Sequence, residues 1–208
     1  MASSAAHLDP KKGGDTLCEA FGAYGWSEGL KAMKWITDAI SVRGVNWFVP
    51  HAFSPREYPD PDCPPHFYAR GNNPQYPHFR KWADYTNRVC DLLSGGRHVA
   101  PVAVLYSAEA EWGGGCEPFE AAVKQLMRAQ IDCDVVSTDL LNDCRIEEGC
   151  ICLGGERFRA LVIRGRNTCP RRWKQSSAVS PKPEFPCCSA MPGPGATTLA
   201  ASSANSPE

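Results

Sequence analysis

Asp15–Trp26, DTLCEAFGAYGW, is the stretch whose reading decides the fold. Thr16–Ala20 has the length and apolar character of a short buried strand, and a loop of aromatics and glycines separates it from a helix. Glu19 is the single charge in the apolar run. A carboxylate on such a strand is costly to bury unless it is paired or used. A strand ending in Glu before an aromatic and glycine loop is therefore the pattern of a functional site. The plainer alternative is a Glu that caps the next helix or pairs with an arginine.

The residues that follow complete a βαβ unit. Ser27 is the expected N-cap of a helix carrying Leu30, Met33, Ile36 (or Trp35) and Ile40 at helical spacing, with Gly44 at its C-terminal cap. Val45–Val49, VNWFV, is then a second strand, β-branched and aromatic. Two apolar strands joined through a helix predict a parallel pair covered on both faces. Beyond Pro50 the pattern changes to a long loop, HAFSPREYPDPDCPPHFYARGNNPQYP, which a compact domain rarely carries without a use for it. The loop leaves the carboxyl end of a parallel strand, where α/β folds place their ligands. His51, His66, Phe67, Tyr68, Arg70 and Asn72 supply flat apolar faces with hydrogen-bonding edges, the needs of a polar ring such as a sugar. In the alternative, the prolines and rings pack among themselves as a rigid lid. Asp60, Asp62, Cys63 and His66 can also be drawn as a metal site, but Asp-Pro-Asp is ordinary turn chemistry, and no metal is assigned to the site.

A helix from Phe79 to Leu93, with Phe79, Trp82, Val89 and Leu92 on one face, stops at Gly95-Gly96. The junction GGRH then marks a domain boundary, with 13–97 before it and 98–168 after it. The second series has a strand to Ser107, a loop through Glu109, Glu111, Trp112 and three glycines, a helix from Glu117 to Ile131, and strands at Asp134–Ser137 and Ala160–Ile163. The glycine loop lacks a GxGxxG or P-loop lysine pattern, and its carboxylates would repel phosphate. It is read as a domain-interface loop, with a sugar contact from Glu111 or Trp112 as the alternative. No Gly-x-Cys-x-Gly elbow is present for an amidotransferase nucleophile. Residues 1–12 and the Ser, Ala and Pro-rich stretch 169–208 have no periodicity and are expected to be disordered. The tail breaks off a half-built α/β series, which points to an out-of-frame or mis-spliced end.

Among 208 residues, 43% are hydrophobic, enough for a sizeable core, and 22 Lys plus Arg against 23 Asp plus Glu give a formal charge of -1. That balance provides no large field to attract nucleic acid or an anionic membrane. Neither a signal peptide nor a spanning segment is legible, so the chain as written is expected to stay in the cytoplasm. Eleven cysteines are scattered without a CxxC pair, and Cys18, Cys90 and Cys133 are expected to pack as small hydrophobes.

TLCEAFGAYGW, LKAMKWITDAISVRGVNWFVPHAFSP and DPDCPPHFYARGNNPQYPHFRKWADYTNRVCDLLSGGRHVAPVAVLY together resemble the C-terminal part of the catalytic barrel of large bacterial glycoside hydrolases. The pattern is similar to enzymes of the α-L-rhamnosidase type, glycoside hydrolase family 106, and to related β-galactosidase-like proteins with a sugar-binding domain. The resemblance covers about Gly13 to Gly165. It implies an α/β fold made of the last strands and helices of a (β/α)8 barrel, followed by the start of a glutamine-amidotransferase-like, flavodoxin-like domain. It further implies a carbohydrate substrate, a catalytic carboxylate at Glu19, and a sugar pocket lined by Tyr24, Trp26, His51, His66 and Tyr68, beside Arg70 and Asn72. No cofactor is implied, and the parent enzyme is expected as a homo-oligomer. Glycosidic cleavage uses two carboxylates and a barrel needs eight strands, so a chain holding one such carboxylate and a quarter of a barrel is expected to be inactive alone. A non-catalytic carbohydrate-binding or interaction module is the other reading.

Overall fold

The computed structural model describes residues 1–114, 117–164 and 196–200. The chain opens with α1 (Ala2–Leu8), and its elements gather into two compact units. One comprises Lys11–Arg97; the other joins Ser3–Pro10 to the chain from His98 onward. Together they make a mixed α/β fold.

In the first unit β1 (Leu17–Ala20), α2 (Leu30–Ser41) and β2 (Trp47–Pro50) form the βαβ unit, and α3 (Phe79–Leu93) follows the long loop. The strands are parallel, with Leu17 opposite Trp47 and Glu19 opposite Val49. Asn46 fixes the entry to both, its side-chain oxygen accepting from Thr16 N at 2.8 Å and its amide donating to Gly14 O. α2 begins at Leu30, two residues later than an N-cap at Ser27 predicts. Gly29 is its extended N-cap, and the Leu30 amide donates to the Gln75 side chain at 2.8 Å, so a residue from the long loop does the capping. Gly44, at φ +90°, ends the helix connection where a side chain would be strained. Phe21, Met33, Ile36, Phe67 and Trp82 form the core. Inside it Trp82 Nε1 donates to Thr37 Oγ1, which donates in turn to Met33 O, so the buried polar atoms joining α2 to α3 are satisfied.

Two expectations fail in this unit. Leu17, Glu19, Trp47 and Val49 are exposed, so α2 and α3 cover one face of the strand pair and the other stays open among the described residues. On α3 the buried line is Trp82 and Thr86, whereas Leu92 is 83% exposed because helical rotation carries it round to solvent.

The second unit centres on β3 (Val102–Tyr106). After α4 (Ala108–Trp112) and α5 (Phe119–Arg128) come β4 (Cys133–Ser137) and α6 (Thr138–Asn142). β5 (Arg145–Glu147), β6 (Cys150–Leu153) and β7 (Glu156–Phe158) make an antiparallel meander, and β8 (Ala160–Arg164) and β9 (Ala196–Ala200) complete the strands. The main sheet has the order β4-β3-β8-β9, with β3 parallel to both β4 and β8, and β9 antiparallel to β8. Ala103, Val136, Phe158 and Leu161 fill one face of this sheet; Val104, Ala122, Leu126 and Val162 fill the other.

The N-terminus is a helix, not the disordered segment expected from its composition. ASSAAHL is rich in good helix formers, and packing supplies what so short a helix lacks alone. Ser4, Ala6 and Leu8 are buried, Ser4 Oγ accepts from Val135 N at 2.9 Å, and Gly154 lets the Leu8 backbone approach where any Cβ would collide. Three boundaries also move. The stretch read as a loop at 109–115 begins as α4, the helix expected from Glu117 to Ile131 spans Phe119–Arg128, and the meander at 145–158 replaces a plain connection. Within the tail, Ala196–Ala200 runs as β9, antiparallel to β8. Residues 169–195 and 201–208 of that tail lie outside the described residues.

Candidate functional site

Two loops meet at the carboxyl ends of β1 and β2. His51 N donates to Ala20 O at 2.8 Å, joining the strand ends. Beyond them Gly25 N donates to Pro64 O, Ala52 N to Pro65 O, and Phe67 N to Ala52 O, at 2.9, 3.2 and 3.0 Å. Gly22 suits this approach, because a Cβ there would stand 3.2 Å from the His51 ring and press on it. The long loop is therefore tied to the β1 loop at Pro64 and closed on itself by the Ala52 and Phe67 bonds, and Phe67 anchors it in the core against Phe79 and Phe53.

Glu19 is exposed at the end of β1, on the open face shared with Leu17, Trp47 and Val49. Its charge reaches the loop: the Cys63 thiol is pushed up, by Asp62 first and by Glu19 and Asp60 to a lesser degree. Tyr24 and Trp26 are 59% and 42% exposed, and the Trp26 ring stands edge-on to Tyr58 and His66 at 5.7 and 5.4 Å. Tyr68, also partly exposed, meets Tyr76 at 5.0 Å.

The remaining predicted contacts face inward or bond within the loop. His66 is 3% exposed, with Nε2 2.7 Å from Asp62 O. Arg70 donates to Pro55 O at 2.6 Å and pairs with Glu57, and the Asn72 amide donates to Ala69 O. The His51 ring packs on Gly22. The suggested ligands Asp60, Asp62, Cys63 and His66 instead build a turn. Asp60 accepts from Ser54 Oγ at 2.5 Å and Asp62 N at 3.1 Å, and these bonds hold its carboxyl below the usual range. The rigid-lid alternative thus describes the inner side of the loop, and the exposed rings are its outer side.

Sequence reading passed over Glu28. It is 9% exposed, neither carboxyl oxygen has a hydrogen-bond partner, and burial pushes its pKa up to about 7. It lines a cavity of about 10 Å³ with Asn73, Gln75 and Phe79, room for about one water. No sequence signal separates it from an ordinary acidic residue ahead of a helix. An open groove of about 600 Å³, lined by Trp47, Phe48, Trp82, Thr86 and Cys90, runs between β2 and α3. Among the described residues no helix is long and apolar enough to cross a membrane.

No family model matches the chain, and no curated protein does. Among solved structures it is similar to a rhamnosidase from Novosphingobium sp. PP1Y, with 20% identity and a TM-score of 0.57. The match covers 85% of this chain and 17% of that one, so the chain spans about a sixth of the enzyme's length. At that identity the likeness is one of fold.

Proposed function

We propose that the chain is a fragment of a glycoside hydrolase, descended from an enzyme acting on carbohydrate glycosidic bonds and inactive on its own. The observation that carries the reading is the placement of Glu19. It is an exposed carboxylate at the carboxyl end of a parallel strand, on the face that the helices leave open and beside a loop of exposed rings. In a barrel that face looks into the lumen and that end carries the active site. The fold-level likeness to a rhamnosidase supports the same direction, and the open β2 edge with its groove is where a further strand and helix of a larger parallel sheet would pack. Glu19 then serves as one of the two carboxylates, proton donor or nucleophile, that an oxocarbenium-like transition state requires. Tyr24, Trp26 and Tyr68 offer apolar faces to the sugar, whereas His51, His66, Arg70 and Asn72 hold the loop in shape. The parallel strands β4, β3 and β8 are read as the opening of the flavodoxin-like, amidotransferase-like domain.

The test is hydrolysis of aryl rhamnosides and galactosides by this chain and by a longer polypeptide carrying the rest of the barrel. Only the longer form is expected to turn over, and Glu19→Gln should lower its rate on the order of 10²–10⁴-fold. Full activity of the Glu19→Gln variant would remove Glu19 from the chemistry. One observation favours the binding-module reading. Tyr24, Trp26, Phe53, Tyr58, Tyr68 and Tyr76 are all at least 40% exposed, which makes an aromatic platform of the kind that stacks on sugars. Under that reading glycan binding survives Glu19→Gln and is lost in Trp26→Ala.

A further inference from the structure

The second unit contains a polar cluster that the sugar-site reading does not use. His7 on α1, His98 ahead of β3 and Asp134 on β4 bring their ligand atoms within 4.8 Å of one another. His7 Nδ1 lies 2.9 Å from Asp134 Oδ1, and His98 Nδ1 lies 3.2 Å from Asp134 Oδ2. The Asp134 side chain is 1% exposed and the two imidazoles 12% and 20%. The rings stack with centroids 3.8 Å apart and planes 22° from parallel, so one ion reaches both only when an imidazole turns out of the stack.

Three observations separate this cluster from an ordinary ion pair. The 3.2 Å ion pair between His98 Nδ1 and Asp134 Oδ2 lacks hydrogen-bond geometry, so both buried atoms keep a bonding direction that this pairing does not use. Their spacing suits a shared ion, because two ligands at about 2.0–2.1 Å from a tetrahedral zinc stand about 3.3 Å apart. Finally, His98 Nε2 lies 3.2 Å from Asp132 Oδ2. A carboxylate on the outer nitrogen is the usual partner of a ligating imidazole, since it fixes the tautomer whose other nitrogen faces the metal.

We propose that His7, His98 and Asp134 form a binding site for a divalent transition-metal ion of the zinc type, with Asp132 orienting His98. Two imidazoles and one carboxylate suit zinc or a similar ion, whereas calcium and magnesium demand mainly oxygen ligands. The partly exposed rings leave a route for entry and a fourth position for water. The ion staples α1 to β4 and to the lead-in of β3, three segments far apart in sequence, so no ligand spacing betrays the site.

Without an ion the cluster is held by protons. The Asp134 carboxylate lifts His98 to about 9, and although burial pushes Asp134 up, His7 and His98 outweigh it and hold it at about 2. An entering ion displaces the imidazolium proton, as it does wherever histidine binds metal.

The test uses the full chain with its cysteines alkylated, since seven free thiols among the described residues compete for metal. Co²⁺ is titrated by visible absorption and Zn²⁺ by calorimetry, against His7→Ala, His98→Ala and Asp132→Asn. We expect one equivalent bound, with excess Mg²⁺ and Ca²⁺ failing to compete. Either histidine variant should weaken binding at least about tenfold, and Asp132→Asn should do so by about ten- to a hundredfold. His7→Ala leaves the buried Ser4, Ala6 and Leu8 of α1 in place, and far-ultraviolet circular dichroism checks the fold. Absence of stoichiometric binding overturns the proposal, as does Zn²⁺ affinity equal in wild type, His7→Ala and His98→Ala; either result leaves a proton-held cluster only.

Discussion

β1 and β3 are both short parallel strands of apolar sequence, each followed by a helix and a parallel partner, yet their surroundings differ. β3 has partners on both sides and a core on each face, with Ala103 and Val104 at 0% exposure. Among the described residues β1 has one partner and one covered face, and its open face shows Leu17 at 61% and Trp47, across the pair, at 56%. Apolar composition therefore reports the cover that a strand is suited to, whereas exposure reports the cover it receives from the residues at hand. The second unit supplies its own; the first leaves an apolar face with a carboxylate on it.

The largest expected effect tests that contrast directly. Phe158 is wholly buried, so Phe158→Ala should cost about 3–5 kcal/mol of the second unit's stability. Trp47→Ala removes a larger ring from the open face and should cost under about 1 kcal/mol. Urea unfolding of each variant measures both. A Trp47→Ala loss as large as that of Phe158→Ala would mean that the face is covered in solution, by a second copy or otherwise, and the contrast would break.

The two units also treat buried carboxylates differently. Asp134 is enclosed with two histidines, whereas Glu28 has no hydrogen-bond partner. Its pKa, raised by burial from 4.5 to about 7, means that the folded chain holds the proton more tightly than the unfolded chain does. Stability is then fully present below about pH 4.5 and is lost as pH rises toward 7, by about 3 kcal/mol at most. Glu28→Gln should flatten that slope and stabilise the first unit above pH 7. Unfolding midpoints at the two ends of the window, compared between wild type and variant, decide it, and an unchanged slope would show that the carboxyl is hydrated in solution.

Local rules made the βαβ unit and α3 legible, because periodicity, Gly44 and the Gly95-Gly96 stop act within a few residues. The ends of α3 at Phe79 and Leu93 follow from sequence alone. What stayed hidden depends on distant partners. ASSAAHL looks like a loose terminus until Val135 and Gly154 are placed beside it, and nothing near Glu28 announces that it will be enclosed. The same limit applies to the candidate site. Glu19 was conspicuous because it interrupts an apolar run. His66, Arg70 and Asn72 carry the right chemistry for a ligand, but each puts a side-chain hydrogen bond into the loop's own backbone.

The smallest expected effect concerns helix caps, where the units differ once more. α6 is capped from its own chain, with Ser137 Oγ accepting from Leu140 N at 3.3 Å. α2 is capped by Gln75, 45 residues away, whose side-chain oxygen accepts from Leu30 N. Each cap is worth about 1 kcal/mol, so Gln75→Ala and Ser137→Ala should cost similar amounts. Their reach should differ, because Ser137→Ala frees one local amide, whereas Gln75→Ala unfastens the long loop from α2 and opens a wall of the Glu28 cavity. Amide hydrogen exchange distinguishes them. Faster exchange at Leu30 together with Phe67 and Ala52 in Gln75→Ala would show that the loop is held as one body by its cap, and acceleration confined to Leu30 would show that the prolines and rings hold the loop without it.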